Sequence, residues 1–383
     1  MSNKMTTRQV TSKQLFNFVP KGKLNDDIKK SRPTLWTLLQ LVAAIIVYLA
    51  CYLISTFIWK LDFKLPGQEA IESVLLIGRG ILFNNDEDYV KGFRILCNFG
   101  FKMLQNSGAY DDVVEKCNHS QFSVPTSHLG EHSVSVLVHT PKKLDKEVAN
   151  PAIVYAHGGG VIGCSASTHS RYLSKLALRC NVVVFNVDYR RAPETKCPNN
   201  ILDFYEALKH IIRNSELMGI DKSRIAIAGE SGGGYICFGT MVLIAQRNES
   251  HFVKLAMPIV PMTDGDSFCS KNLFSIINFN LRKIWTLIAQ DIQEQKNDPL
   301  LFPGKSSDQI LKSMPPTIIW ETEFDIFIEE STRLADRLKS AGRLLEYVVF
   351  PGQTHESWIN PRFECHESVF DAFTLAIQKY LIE

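Results

Sequence analysis

The 383-residue chain has almost no net charge: 42 Lys and Arg oppose 40 Asp and Glu, a balance of +2. Without a basic excess there is no electrostatic footprint for nucleic acid, and at 45% apolar residues the chain is too hydrophobic to stay disordered. It also lacks internal repeats and low-complexity tracts. No two of its nine cysteines are spaced C-x-x-C, which removes zinc-ribbon and thioredoxin chemistry. Cys97, Cys117, Cys164, Cys180, Cys197, Cys237, Cys269 and Cys365 read instead as small buried hydrophobes, with one disulfide conceivable in an oxidising compartment.

One stretch lacks charge altogether. Residues 34–59 are 26 consecutive positions without Asp, Glu, Lys, Arg or His, long enough for a helix to cross a ~30 Å hydrocarbon core with some tilt. Trp36 and Trp59 stand near its ends, at headgroup level, and Lys60 closes it. A buried core helix rarely stays uncharged for so long, and a cleaved signal peptide has a shorter apolar region nearer the start. Lys21, Lys23, Lys29, Lys30 and Arg32 precede the span, against Lys60, Lys64 and Arg79 after it. This bias places residues 1–33 as a cytosolic basic tail and the rest across the membrane, in a single-pass type II arrangement. The sequons at Asn118 and Asn248 would be usable there.

Residues 60–119 read as a cap or linker containing an amphipathic helical stretch at 66–105. From about residue 120 to 383 the pattern changes. Short β-branched runs at 133–139, 152–155, 182–187, 224–228, 255–260, 317–320 and 347–350 alternate with helical stretches at 170–180, 203–215 and 330–342. Strands this apolar predict an α/β domain whose mainly parallel sheet is covered on both faces. The alternation breaks at 263–312, which suggests a cap insertion over the sheet's C-terminal edge.

Gly229-Glu230-Ser231-Gly232-Gly233-Gly234 stands at a predicted strand-to-helix turn. G-x-S-x-G there is a nucleophile elbow, which holds a serine hydroxyl above the sheet edge at a helix N-terminus. His157-Gly158-Gly159-Gly160 follows an earlier strand, and bare glycine backbone suits N–H donors for a developing oxyanion. The donors are assigned to Gly159, Gly160 and Gly232. Gly158, Gly160 and Gly163 also match G-x-G-x-x-G, with Asp188 after the next strand, as a dinucleotide site would require. That site needs its helix to begin inside the glycines, whereas 164–169 intervene, and it leaves the serine unexplained.

A serine of ordinary pKa needs a base, and the base an orienting acid, in the chain order Ser, Asp or Glu, then His. Glu321, Glu323 and Asp325 follow the strand at 317–320, and His355 follows the strand at 347–350. His366 repeats the His-Glu-Ser tripeptide where the last helix begins and reads as a surface residue. Asp298-Pro299-Leu300 precedes the strand that should deliver the acid.

With Asp188-Tyr189-Arg190-Arg191-Ala192-Pro193-Glu194 added, these motifs resemble the hormone-sensitive lipase family of α/β-hydrolases, and within it the membrane-anchored arylacetamide deacetylase group. The resemblance covers roughly 120–383. It implies the α/β-hydrolase fold with a helical cap, a carboxylic ester hydrolase of lipophilic esters or amides, the triad Ser231, Asp325 and His355, a lumenal domain at the endoplasmic reticulum, and no metal or redox cofactor. Two departures stand out. The usual Asp-Pro-Leu-x-Asp is Asp325-Ile326-Phe327-Ile328-Glu329, and the Gly-Phe usual after the base is Glu356-Ser357. A neutral-lipid hydrolase (cholesteryl, glyceryl or ether-lipid acetate esters) and a silent hydrolase-like binding protein are the competing functions.

Overall fold

A computed structural model describes residues 8–9, 85–105, 110–126, 128, 132–265, 275–355, 357–359 and 365–383. The expected span at 34–59 lies outside them. Among the described residues no helix is long and apolar enough to cross a membrane.

Helices α1 (Asp86–Gln105) and α2 (Asp111–Glu115) precede the main sheet strands β2 (Cys117–Thr126), β3 (His132–Pro141) and β4 (Asn150–Ala156). Then come α3 (Ser170–Cys180), β5 (Val183–Asp188), α4 (Asn199–Arg213), β6 (Ile220–Glu230), α5 (Gly232–Gln246) and β7 (Leu255–Ile259). The chain continues through α6 (Ser275–Ile288), α7 (Asp308–Ser313), β8 (Thr317–Phe324), α8 (Ile328–Ser340), β9 (Leu344–Thr354) and α9 (Cys365–Ile377). With a two-residue strand β1 (Arg8–Gln9) on β2, the sheet order is β1-β2-β3-β5-β4-β6-β7-β8-β9. β5, β4, β6, β7, β8 and β9 are mutually parallel, while β2 and β3 run antiparallel to their neighbours.

The period of two explains why both faces carry helices. Ala152, Val154 and Ala156 of β4, with Ile225 and Ile227 of β6, enter the apolar layer under α4, α5 and α8. Ile153, Tyr155, Ala226 and Ala228 enter the opposite layer with α3 and α9. α5, buried from Gly232 to Ala245, has no polar stripe because it is enclosed on every side. Six parallel strands put their C-terminal ends on one edge, where loops from separate strands converge.

The first long strand of the sheet begins at Cys117, so the expected boundary near 120 falls inside it. β2 was missed because Asn118, Ser120, Gln121, Ser123 and Pro125 dilute its β signal; pairing with β3 over its whole length supplies what propensity does not. The insertion at 263–312 contributes α6 and α7. Among the described residues, Cys117, Cys180, Cys197 and Cys237 are buried free thiols.

Two buried imidazoles flank the Ser174 hydroxyl of α3: His119 Nε2 at 2.9 Å and His139 Nδ1 at 3.0 Å. Burial first, and then Lys142, pushes His119 down to about 4; burial and His119 push His139 well below its ordinary value. Above about pH 6.5 both rings are neutral in either state and nothing is lost. As pH falls below that, the unfolded chain binds protons that the folded chain refuses, so stability declines until about pH 4, where His119 itself charges. His119 alone should remove about 3 kcal/mol across this window. Urea unfolding at pH 7 and pH 4.5 checks it: wild type should lose more stability than His119→Gln/His139→Gln, and equal losses would refute the assignment.

Candidate active site

Ser231 stands between the last residue of β6 and the first of α5, with φ 54° and ψ −117°. A side chain is strained in that conformation. The turn is held by Ser231 N–H donating to Ile259 O at 2.9 Å and by Tyr235 N–H donating to Ser231 O at 3.1 Å. The strain aims the hydroxyl away from the sheet, at the positive end of α5.

Asp325 is the first residue past β8 and His355 the first past β9. Thirty residues apart in sequence, they meet because β8 and β9 are parallel neighbours ending at one edge. His355 Nε2 lies 2.8 Å from Ser231 Oγ, and His355 Nδ1 lies 2.8 Å from Asp325 Oδ2. Asp325 is buried, and Phe327 N–H donates to its Oδ1 at 2.8 Å while the Thr322 hydroxyl donates to its Oδ2 at 3.2 Å. The departure after the acid therefore keeps the acid's backbone donor. It also lays the Phe327 ring edge-on to His355, with centroids 5.4 Å apart. Glu329, in place of the second usual aspartate, is exposed, and Glu356 lies outside the described residues.

The other candidates separate cleanly. Glu323 is exposed and accepts from Gly352 N–H at 2.7 Å. Glu321 is fully buried near Asp325; burial first, and then the charge of Asp325, raises its carboxyl well above the usual range. His366 is 2% exposed, contrary to the surface position expected. Its Nδ1 reaches Trp358 O at 2.7 Å and its Nε2 reaches Lys175 Nζ at 2.8 Å, so the first turn of α9 faces inward there. Asp298 accepts from Leu300 N–H at 2.9 Å in a local turn.

The loop after β4 lies directly on the elbow. A Cβ on Gly232 would stand 2.8 Å from Gly160 N, and one on Gly233 would stand 2.0 Å from Ala156 O, so only glycine lets loop and helix approach this closely. Gly159 and Gly160 have φ of +102° and +59°, closing a turn in which Gly163 N–H donates to Gly159 O at 2.9 Å. Among the described residues, the N–H groups of Gly159 and Gly160 donate to no other backbone group, and Gly232 is the first residue of its helix. Gly158 N–H donates to the buried Glu230 carboxylate, which also lies 2.6 Å from His169 Nε2. Gly229 leaves room for the first turn of α5, where a Cβ would meet Gly233 O at 2.5 Å. His157 is engaged away from Ser231. Its ring stacks on Tyr189 with centroids 4.3 Å apart, its carbonyl accepts from the Tyr189 hydroxyl at 2.6 Å, and burial lowers its pKa.

The stretch Tyr189 to Glu194, which the resemblance implies is structural and not catalytic, scaffolds this loop. Ala192 N–H donates to Val161 O at 2.9 Å, and Arg191 donates to Cys164 O. Burial opposes ionisation of Asp188, but His157 and Arg191 hold it down at about 2, and its Oδ1 accepts from Ala166 N–H at 3.0 Å. No helix begins among the glycines, and Asp188 faces this loop, which disposes of the dinucleotide alternative.

Helices α1 and α6, which fall within the stretches at 66–105 and 263–312, cover the loop. Phe93 of α1 and Ile284 of α6 lie 3.6 Å and 3.4 Å from where a Gly160 Cβ would be, and Lys283 pairs with Asp86 at 3.1 Å across the two helices. Among the described residues no group of three or more His, Cys, Asp or Glu side chains could hold a metal ion.

Comparison with known proteins agrees with this geometry. Residues 153–359 match a family model described as an alpha/beta hydrolase fold. An ethyl acetate hydrolase of Pseudomonas putida is 27% identical over 235 residues, 59% of this chain and 71% of that one. A carboxylesterase of Mycobacterium tuberculosis is 30% identical over 213 residues, 54% of this chain and 66% of that one. Among solved structures, a thermostable carboxylesterase cloned from a metagenomic library superposes with a TM-score of 0.67 at 25% identity, covering 76% of this chain and 97% of its own. With a serine elbow, a glycine loop and a parallel sheet matched over more than half its length, this chain belongs to the α/β-hydrolase family.

Proposed function

We propose that this carboxylic ester hydrolase cleaves lipophilic acyl esters or arylamides through Ser231, His355 and Asp325. The observation that carries the reading is the pair of 2.8 Å contacts linking serine, imidazole and carboxylate beside a bare glycine loop. Ser231 Oγ attacks the acyl carbonyl while its proton passes to His355 Nε2. The carbonyl oxygen becomes an oxyanion and accepts from the N–H groups of Gly159, Gly160 and Gly232. Collapse expels the alcohol or amine, which takes the proton from His355, and water releases the acid by the same route. Asp325, accepting from His355 Nδ1–H, fixes the tautomer that leaves Nε2 free as a base. Phe93 and Ile284 over Gly160 favour an apolar acyl group.

The uncharged stretch at 34–59 supports the membrane-anchored, arylacetamide deacetylase-like subgroup, with the sheet in the lumen of the endoplasmic reticulum. Exposed Asn118 and Asn248 are consistent with glycosylation there. The pairing of Arg8–Gln9 with β2 would instead hold the N-terminus on the same side as the sheet, so the two arrangements exclude each other.

One preparation tests both readings. In membranes from cells making the full chain, hydrolysis of p-nitrophenyl acetate, butyrate and laurate should resist carbonate extraction and be shielded from added protease until detergent is present. Activity that washes off would remove the anchor. Preference for laurate would favour the neutral-lipid alternative, and no turnover from a folded chain would favour the silent binding protein.

A further inference from the structure

α1 does more than cover the glycine loop, because Arg94, next to Phe93, joins the two covalently distant segments. Its Nε–H donates to Ile162 O at 2.8 Å, two residues past Gly160. One Nη donates to Ala192 O at 3.0 Å and to Glu194 Oε2 at 2.6 Å, and the other to Glu194 Oε1 at 2.8 Å. The planar guanidinium fork is thus used on four acceptor atoms at once, which an ammonium on a flexible stem cannot reproduce. Ala192 in turn donates to Val161 O at 2.9 Å, so the residues directly after Gly160 are fixed by one side chain and by the strand-following segment it grips. The Phe93 ring fills the space over Gly163, the other end of the same turn, where a Cβ would be 2.7 Å from it.

We infer that Arg94 is a positioning residue for the oxyanion hole: by holding the Ile162 carbonyl and the Ala192–Glu194 segment, it aims the Gly159 and Gly160 N–H groups and ties their aim to the placement of the cap helix. Resting as it does on the serine esterase reading, it concerns the hole alone and leaves the Ser231–His355 contact untouched. Since the gain from fixed donors depends on their being set before charge develops, a slack loop weakens transition-state binding more than substrate binding.

The test uses the full chain, p-nitrophenyl butyrate, and an alkyl trifluoromethyl ketone. Ser231 Oγ adds to the ketone carbonyl carbon, the hydroxyl proton goes to His355, and the carbonyl oxygen becomes an oxyanion held in the same hole. Arg94→Gln and Arg94→Lys should both lower kcat by roughly 10- to 100-fold, with KM changed less than about threefold. The ketone's inhibition constant should rise by the same factor as kcat/KM falls. Retained charge in Arg94→Lys should not rescue. Glu194→Gln, which weakens two of the four bonds, should move both quantities in the same direction by several-fold, and it decides the matter if the Arg94 variants do not fold. A wild type that labels with a fluorophosphonate and turns over, beside folded Arg94 or Glu194 variants with unchanged kcat and ketone affinity, would overturn the inference while leaving the esterase reading standing. A wild type that neither labels nor turns over would overturn both.

Discussion

Ser231→Ala should lower turnover of p-nitrophenyl butyrate by roughly 10⁵- to 10⁶-fold, while its thermal midpoint stays at or above that of wild type. Every catalytic step of the proposed mechanism passes through the Oγ that lies 2.8 Å from His355 Nε2. Removing it leaves the N–H groups of the glycine loop and the substrate pocket, which alone retain only a small part of the rate enhancement. The fold has little reason to suffer. The hydroxyl contributes one hydrogen bond, the backbone bonds of Ser231 to Ile259 and Tyr235 do not involve it, and alanine at φ 54° carries the same Cβ strain as serine. Loss of activity together with loss of folding would point to a structural serine. Retained activity in a folded variant would mean that a different nucleophile operates.

The second large effect separates three carboxylates that lie within five residues. Asp325→Asn should reduce kcat by about 10⁴-fold, because an amide facing His355 Nδ1 allows the wrong tautomer and gives no charge to the imidazolium. Glu321→Gln should stay within a few-fold of wild type. Burial and then the neighbouring Asp325 charge both favour the protonated form of the Glu321 carboxyl, which the neutral isostere mimics. Glu323→Gln, which is exposed and keeps an amide oxygen to accept from Gly352 N–H, should be milder still. Steady-state rates for the three variants at one pH settle the ranking. A Glu321→Gln defect as deep as that of Asp325→Asn would move the orienting role to Glu321.

The meeting of Ser231, Asp325 and His355 was legible because each is bound to a local event that sequence shows: the last residue of an apolar strand, followed by a break. G-x-S-x-G after β6, Asp325 after β8 and His355 after β9 obey one rule, and parallel strands convert that rule into proximity. The sheet's covered faces were equally legible, since runs such as 152–155 and 182–187 are apolar at every register position but Asn186. What stayed hidden depends on pairs far apart in the chain. Arg94 lies a hundred residues from Glu194, and nothing local marks either as a partner of Ile162. His366 was misplaced because a polar tripeptide at a helix start looks solvated, whereas Trp358 O and Lys175 come from elsewhere to meet it. β2 was underread because its stability comes from β3 and from the helices on its two faces more than from its own residues.

The most direct test of the central claim is the site of covalent modification. Full-length protein in detergent is treated with a fluorophosphonate, digested, and the adduct mapped by mass spectrometry. Nucleophilic activation at a single elbow predicts one adduct per chain, on the peptide containing Ser231, lost in His355→Ala as well as in Ser231→Ala. An adduct on any other residue, or ester turnover that continues with Ser231 unmodified, would contradict the account.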